Sequence, residues 1–150
     1  MKAWKLYRNI KTFLETKLNL KLVAEATANV VEVASVKAFC IGWRDPFNLR
    51  EYNTLMIVPD TLRRANEQLE DLASIAIIVA LKAPTPDALA DQMGVYADAI
   101  ANVFEDDPTA GKTVFETQVI DFDFSLPAPG APLVGALTII LSVQLDRIFG

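Results

Sequence analysis

The 150-residue sequence contains no histidine and a single cysteine, Cys40. The first absence removes the commonest general base near neutral pH, every Ser-His-Asp or Cys-His arrangement, and imidazole metal ligands. The second rules out an internal disulfide and a thiolate zinc site within one chain, and it fits a reducing compartment. No apolar run reaches the roughly 18 residues of a membrane span. The longest, Ala73–Leu81, has the length of a strand. Nothing at the N-terminus reads as a signal peptide, because Lys2, Lys5, Arg8 and Lys11 interrupt every apolar stretch there. No Gly-rich dinucleotide fingerprint follows a strand pattern. Ala110-Gly-Lys-Thr113 resembles the end of a phosphate-binding loop, but the position five before Gly111 is Asp106 rather than glycine, and the segment reads as a turn. Composition alone therefore assigns no chemistry.

What is present is an apolar share of 52% with 22% charged residues, enough for one core and one domain over residues 1–150. The net charge of −5 is unevenly spread. The first 21 residues carry six cationic side chains against Glu15 alone, so the acidic excess lies in the rest of the chain. A basic first helix on an acidic body does not resemble the broad cationic face of a nucleic-acid binder. It suits either a solvated polar face or head-to-tail docking of a basic helix on an acidic neighbour.

Hydrophobic periodicity gives the order of elements. Leu6, Ile10, Phe13, Leu14 and Leu18 predict a helix over Trp4–Leu18, with Asn19 as its stop and a possible strand over Leu20–Glu25. Val36–Trp43 reads as a strand holding Cys40 as a buried, inert thiol. Arg44–Asn53 reads as a loop in which Trp43, Phe47 and Tyr52 are equally suited to core capping and to a partner. Thr54–Val58 predicts a short buried strand ended by Pro59. Asp60–Leu72 reads as a short helix or irregular loop. Ser74–Lys82 is a near-continuous apolar run, expected as a central strand covered on both faces.

Thr85-Pro-Asp87 is a helix start, with a cap, an N1 proline and an acid at the positive end of the dipole. The helix is expected to run to about Phe104, with Gly94 serving close packing on the sheet. Val114–Ser125 and Val134–Arg147 alternate with period two. In the first, Ile120, Phe122 and Phe124 oppose Asp121, Asp123 and Ser125. Between the two segments Leu126-Pro-Ala-Pro-Gly-Ala-Pro-Leu133 cannot continue either strand. The fold class that follows is α+β: a mostly antiparallel or mixed β-sheet, two main helices packed on it, and a long C-terminal β-hairpin with a stiff tip suited to contact with another molecule. Leu133 and Val134 at that tip are candidate interface residues, as are Pro127, Pro129 and Pro132. Asp121 and Asp123 share a strand face and open a carboxylate-enzyme reading, against a solvent-facing strand side as the simpler account.

The layout of Trp4–Leu18, Thr54–Pro59, Ser74–Leu81, Thr85–Phe104 and Val119–Asp146 resembles the small tail terminator and head–tail neck proteins of long-tailed bacteriophages. The likeness is one of order and length across most of the chain, with no diagnostic motif. It implies a structural virion protein without enzymatic activity or cofactor. It implies a homo-oligomeric ring, usually of six subunits, at the head-proximal end of the tail. The partners implied are further copies of itself, the tail tube protein and the head connector or neck protein, with no membrane and no sequence-specific nucleic acid, and with assembly in the bacterial host cytoplasm. A ring needs two different complementary surfaces per subunit. The basic first helix, through Lys5 and Arg8, and the acidic face Asp87, Asp91 and Asp98 are the expected pair. The rival expectations are a small α+β ligand-binding or regulatory domain with a pocket between sheet and helix, and an enzyme built on Asp121 and Asp123.

Overall fold

The structure, a computed structural model, describes residues 3–64, 70–125 and 133–146. Along the chain these form α1 (Ala3–Asn29), β1 (Ala38–Ile41), β2 (Thr54–Arg64), β3 (Glu70–Lys82), α2 (Pro86–Asp106), β4 (Glu116–Ser125) and β5 (Val134–Asp146). The five strands make one sheet in the order β1-β2-β3-β5-β4. β1 pairs parallel with β2 and every other pair is antiparallel, so the fold is α+β with a mixed sheet and a C-terminal β4–β5 hairpin.

α1 begins as expected but does not stop at Asn19. Leu22 continues the buried stripe four residues after Leu18, which overturns the strand at Leu20–Glu25. Asn19 has another task. Its Nδ2 donates to the Val36 carbonyl at 3.2 Å and its Oδ1 accepts from the Val36 N–H at 2.9 Å, which ties the incoming strand segment to the helix. The helix ends about three turns later, at Val30, whose φ is 55°. The Val31 N–H bonds back to the Ala26 carbonyl at 3.0 Å and that of Val30 to Thr27 at 3.4 Å, a Schellman closure with valine where glycine is usual.

β2 passes through Pro59 instead of ending there. Its register with β3 shifts between Pro59 and Thr61, and a bulge tolerates a residue that cannot donate to the ladder. The expected helix or loop at Asp60–Leu72 is therefore wrong at both ends. Residues 60–64 extend β2 and residues 70–72 open β3, and the expectation for 65–69 lies outside the described residues. β4 carries a second register shift, between Val119 and Asp121. Pro59 pairs with Ile75, Ile75 with Leu141, and Leu141 with Val119, so both bulges sit on one row across the sheet.

β3 is the middle strand, as its apolar run suggested. Ile75, Ile77, Val79 and Leu81 are buried beneath the helices, while Ser74, Ala76 and Ile78 on the other face are only half-buried, so cover is complete on one side alone. On β5, Leu137, Ile139, Leu141, Val143 and Leu145 complete that core. α1 lies over β1 and β2, α2 over β3, β5 and β4, and the two helices pack on each other. Between them Phe13 and Phe104 meet with ring centroids 5.6 Å apart. Lys21 bonds Asp106 at 2.6 Å, which raises the lysine's pKa, and Asn102 donates to Glu25 at 2.8 Å.

The N-terminus of α2 forms as expected, with the Thr85 hydroxyl accepting from the Ala88 N–H at 3.1 Å. Its C-terminus runs two residues past Phe104, to Asp106. Gly94 does not serve close packing. It is exposed, and a Cβ there would meet nothing within 4 Å. The close approach is made on the strand instead, where a Cβ on Gly135 would lie 3.1 Å from Met93 Sδ. Ala110-Gly-Lys-Thr113 is a turn, with Ala110, Gly111 and Lys112 all at positive φ. Asp107 holds it, accepting from the Thr109 hydroxyl at 2.6 Å, the Thr109 N–H at 3.1 Å and the Gly111 N–H at 3.0 Å. The hydrogen bond from the Thr109 hydroxyl is the main cause holding the Asp107 carboxyl below its ordinary pKa.

Candidate functional site

Two separate surfaces, one on each helix, carry the charge asymmetry read from the sequence. On the β1 side, the first turns of α1 put Trp4, Lys5 and Arg8 in solvent. The Arg8 guanidinium carbon and the Lys5 ammonium lie 5.5 and 5.9 Å from the Trp4 ring centroid, a cation–π cluster on an exposed indole. Arg8 and Lys11 line a groove against Phe39, Cys40 and Ile41 of β1. Lys11 also pairs with Glu15 at 2.9 Å. Cys40 is half-buried rather than buried, because β1 is an edge strand with no neighbour beyond it.

On α2, an acidic stripe turns outward. Asp87, Asp91 and Asp98 are exposed at spacings of four and seven, and Glu105 continues the same stripe. Glu105 lines a groove with Glu116, Gln118 and Val119 of β4. Among the described residues, none of Lys5, Arg8, Asp87, Asp91 or Asp98 takes part in an ion pair. The two charged faces thus do not meet within one subunit.

The hairpin candidates divide. Val134 is buried in the ladder opposite Lys82 and is not available to a partner. It is drawn in because pairing continues one step further: the Leu133 carbonyl accepts from the Ala83 N–H at 3.0 Å and leaves Leu133 half-buried. Pro127, Pro129 and Pro132 lie outside the described residues, as does the expectation that the tip is ordered only on assembly. Sequence reasoning missed the exposed apolar side of β4. Ile120, Phe122 and Phe124 alternate as a half-buried strand should, yet they are 57%, 40% and 49% exposed. No local signal marks them, because their exposure depends on where α2 packs across the sheet. Trp43 and Phe47 are exposed beside the other edge, whereas Tyr52 is half-buried with the Lys82 ammonium 5.6 Å from its ring centroid.

Asp121 and Asp123 are exposed on the face away from the helices, opposite Ile140 and Thr138. Among the described residues no group of three or more Cys, Asp or Glu is placed to hold a metal ion. The buried polar centre is structural. The Tyr96 hydroxyl donates to the Ala34 carbonyl at 2.6 Å and accepts from Asn53 Nδ2 at 3.4 Å, and burial pushes its pKa above the ordinary tyrosine range. Together with the Asn53 bond to Ala34 at 3.1 Å, this pins the link between α1 and β1.

A cavity of about 910 Å³ is an open groove between the end of α1, residues 30–34 and the start of α2, not a pocket between sheet and helix. Gln92 lines it. Its Nε2 donates to the Lys82 carbonyl at 3.3 Å, and its Oε1 is buried with no hydrogen-bond partner among the described residues. No helix of the described residues is long and apolar enough to cross a membrane. No protein-family model matches the chain, and comparison with curated proteins gives no match.

Proposed function

We propose that this chain is a structural assembly subunit that forms a closed ring with copies of itself, in the manner of the bacteriophage tail terminator and neck proteins its layout resembles. In that role it joins the tail tube to the head connector and transforms no substrate. The observation that supports this reading is the pair of charged faces left unmatched within the subunit. Lys5 and Arg8 are exposed on α1, with Arg8 beside β1, and Asp87, Asp91 and Asp98 are exposed on the face of α2 turned away from the sheet. A heterologous ring interface requires two unlike, complementary patches on well-separated sides of each protomer.

Light scattering on the purified chain across concentration and salt tests it. A ring near six subunits is expected, with Lys5→Glu and Arg8→Glu weakening assembly at low salt, where exposed charges act most strongly. A chain that stays monomeric throughout refutes the assembly reading. Assembly indifferent to both reversals refutes the charged pairing. A ligand-binding role has one observation in its favour, the unpartnered Gln92 acceptor in the α1–α2 groove. A monomer whose melting temperature rises with a small hydrogen-bond donor, and no longer does so in Gln92→Leu, would establish that role instead.

A further inference from the structure

Exposed ion pairs contribute about 0.2–1 kcal/mol each, so charged faces orient two subunits without holding them together. The two sheet edges supply what is missing. Exposed apolar edge strands are pairing sites unless charge, Pro, a bulge or a covering element blunts them. β4, Glu116–Ser125, has no Lys, Arg or Pro; past its bulge between Val119 and Asp121, Phe122 and Phe124 are exposed on one face and Asp121 and Asp123 on the other, which leaves an apolar stretch short enough to match β1. At the other margin β1 is equally open, and Ile41, Trp43 and Phe47 are exposed along or just beyond it.

The faces agree. Phe122 and Phe124 pair with Ile139 and Leu137, which places them on the helix side of the sheet. Phe39 and Ile41 pair with Leu55 and Ile57 on that same side. Asp121 and Asp123 lie on the opposite side, as do Ala38 and Cys40. The directions agree too. β1 runs with β2, and three successive antiparallel pairings then leave β4 pointing the other way. Two copies related by rotation about an axis along the strands would therefore meet as an antiparallel pair. The charges agree as well, since the β1 groove is lined by Arg8 and Lys11 and the β4 groove by Glu105 and Glu116.

We propose that β4 of one subunit adds to β1 of a second copy, antiparallel, so that one sheet continues from protomer to protomer. This rests on the ring reading above and names its joint. β1 has four residues, about 13 Å of strand, so it accommodates four residues of β4 such as Phe122–Ser125 and little more. Alternation then restricts the register to shifts of two, because any odd shift would put Phe122 opposite Cys40. Phe122 then lies against Ile41 and Phe124 against Phe39.

The lone Cys40 on this edge makes the joint testable in the full-length chain. Asp121→Cys and Asp123→Cys are each oxidised with copper phenanthroline and run on a non-reducing gel, with light scattering in parallel. At least one is expected to give a ladder of disulfide-linked multimers that disappears when Cys40→Ser is added. Phe122→Cys, on the wrong face, is expected to cross-link at least tenfold more slowly. Assembly that persists without cross-linking from either position, or with equal cross-linking from Phe122→Cys, overturns the edge pairing and leaves the ring reading standing. A chain monomeric at every concentration overturns both. Phe122→Asp with Phe124→Asp gives an independent readout, since both side chains are largely exposed and the fold should survive by circular dichroism. The concentration for half-assembly is expected to rise tenfold or more, and an unchanged value overturns the proposal.

Discussion

Val30 offers the sharpest test of how this backbone is held. It closes α1 in the left-handed region at φ 55°, and it is 93% exposed. Left-handed geometry costs an L-residue about 1–2 kcal/mol, and a β-branched side chain sits at the upper end because its methyl groups crowd the following carbonyl. Exposure leaves almost no buried apolar area to offset that cost. Replacement by glycine removes the crowding but loosens the unfolded chain, worth about 0.5–1 kcal/mol against folding. Val30→Gly should therefore stabilise the subunit by about 1–1.5 kcal/mol. At this chain length that is a rise of roughly 2–6 °C in Tm. Urea unfolding at a concentration below assembly measures it, as a higher midpoint with an unchanged slope. Val30→Asn should gain less than glycine and Val30→Ala least, because each keeps a Cβ. A glycine variant no more stable than its parent, at equal slope, would refute the argument that strain is stored at this cap.

The two remaining informative glycines make opposite predictions. Gly94→Ala, on the open face of α2, should raise stability by about 1 kcal/mol through helix propensity alone. Gly135→Val, driven against Met93 and Leu89, should lower it by about 1–3 kcal/mol in the same melts. Asp107→Asn should cost about 1 kcal/mol at neutral pH by weakening the bonds that hold the turn at Thr109–Gly111. Because the folded-state pKa of Asp107 lies below its reference value of 3.8, its contribution is complete above that value and fades as the pH falls through the lower, folded-state one. The variant's stability should accordingly be flatter than the parent's below about pH 4, as read from denaturation midpoints across that range.

The elements legible in the sequence are those whose signal is local. The cap at Thr85, the apolar stripe of α2, the run in β3 and the alternation in β5 each declare themselves within a dozen residues. The second half of α1 did not, because Leu20 and Val23 break the stripe on its exposed side and the partner of Asn19, Val36, lies 17 residues away. β2 beyond Pro59 was hidden by a bulge that makes a proline harmless. The parallel pairing of β1 with β2 depends on Asn53, which at φ 59° turns the chain while bonding to Ala34, Lys37 and Ala80. At the candidate site, charge was readable and cover was not. Whether Phe122 meets a helix or water is decided by where α2 comes to rest, and alternation along β4 carries no record of that.

The alignment of the two bulges has a mechanical meaning. The extra residues in β2 and β4 flank the straight β3–β5 pair on both sides at the level of Ile75 and Leu141. Bulges concentrate twist, so this level becomes a crease that divides the sheet into two plates. Beyond it Leu62 and Leu72 are 42% and 47% exposed on one face, while Ala73, Val143 and Leu145 stay in the core on the other. A swivel at the crease would therefore be felt on both faces, by whatever abuts those two leucines and by the helices through the three buried side chains.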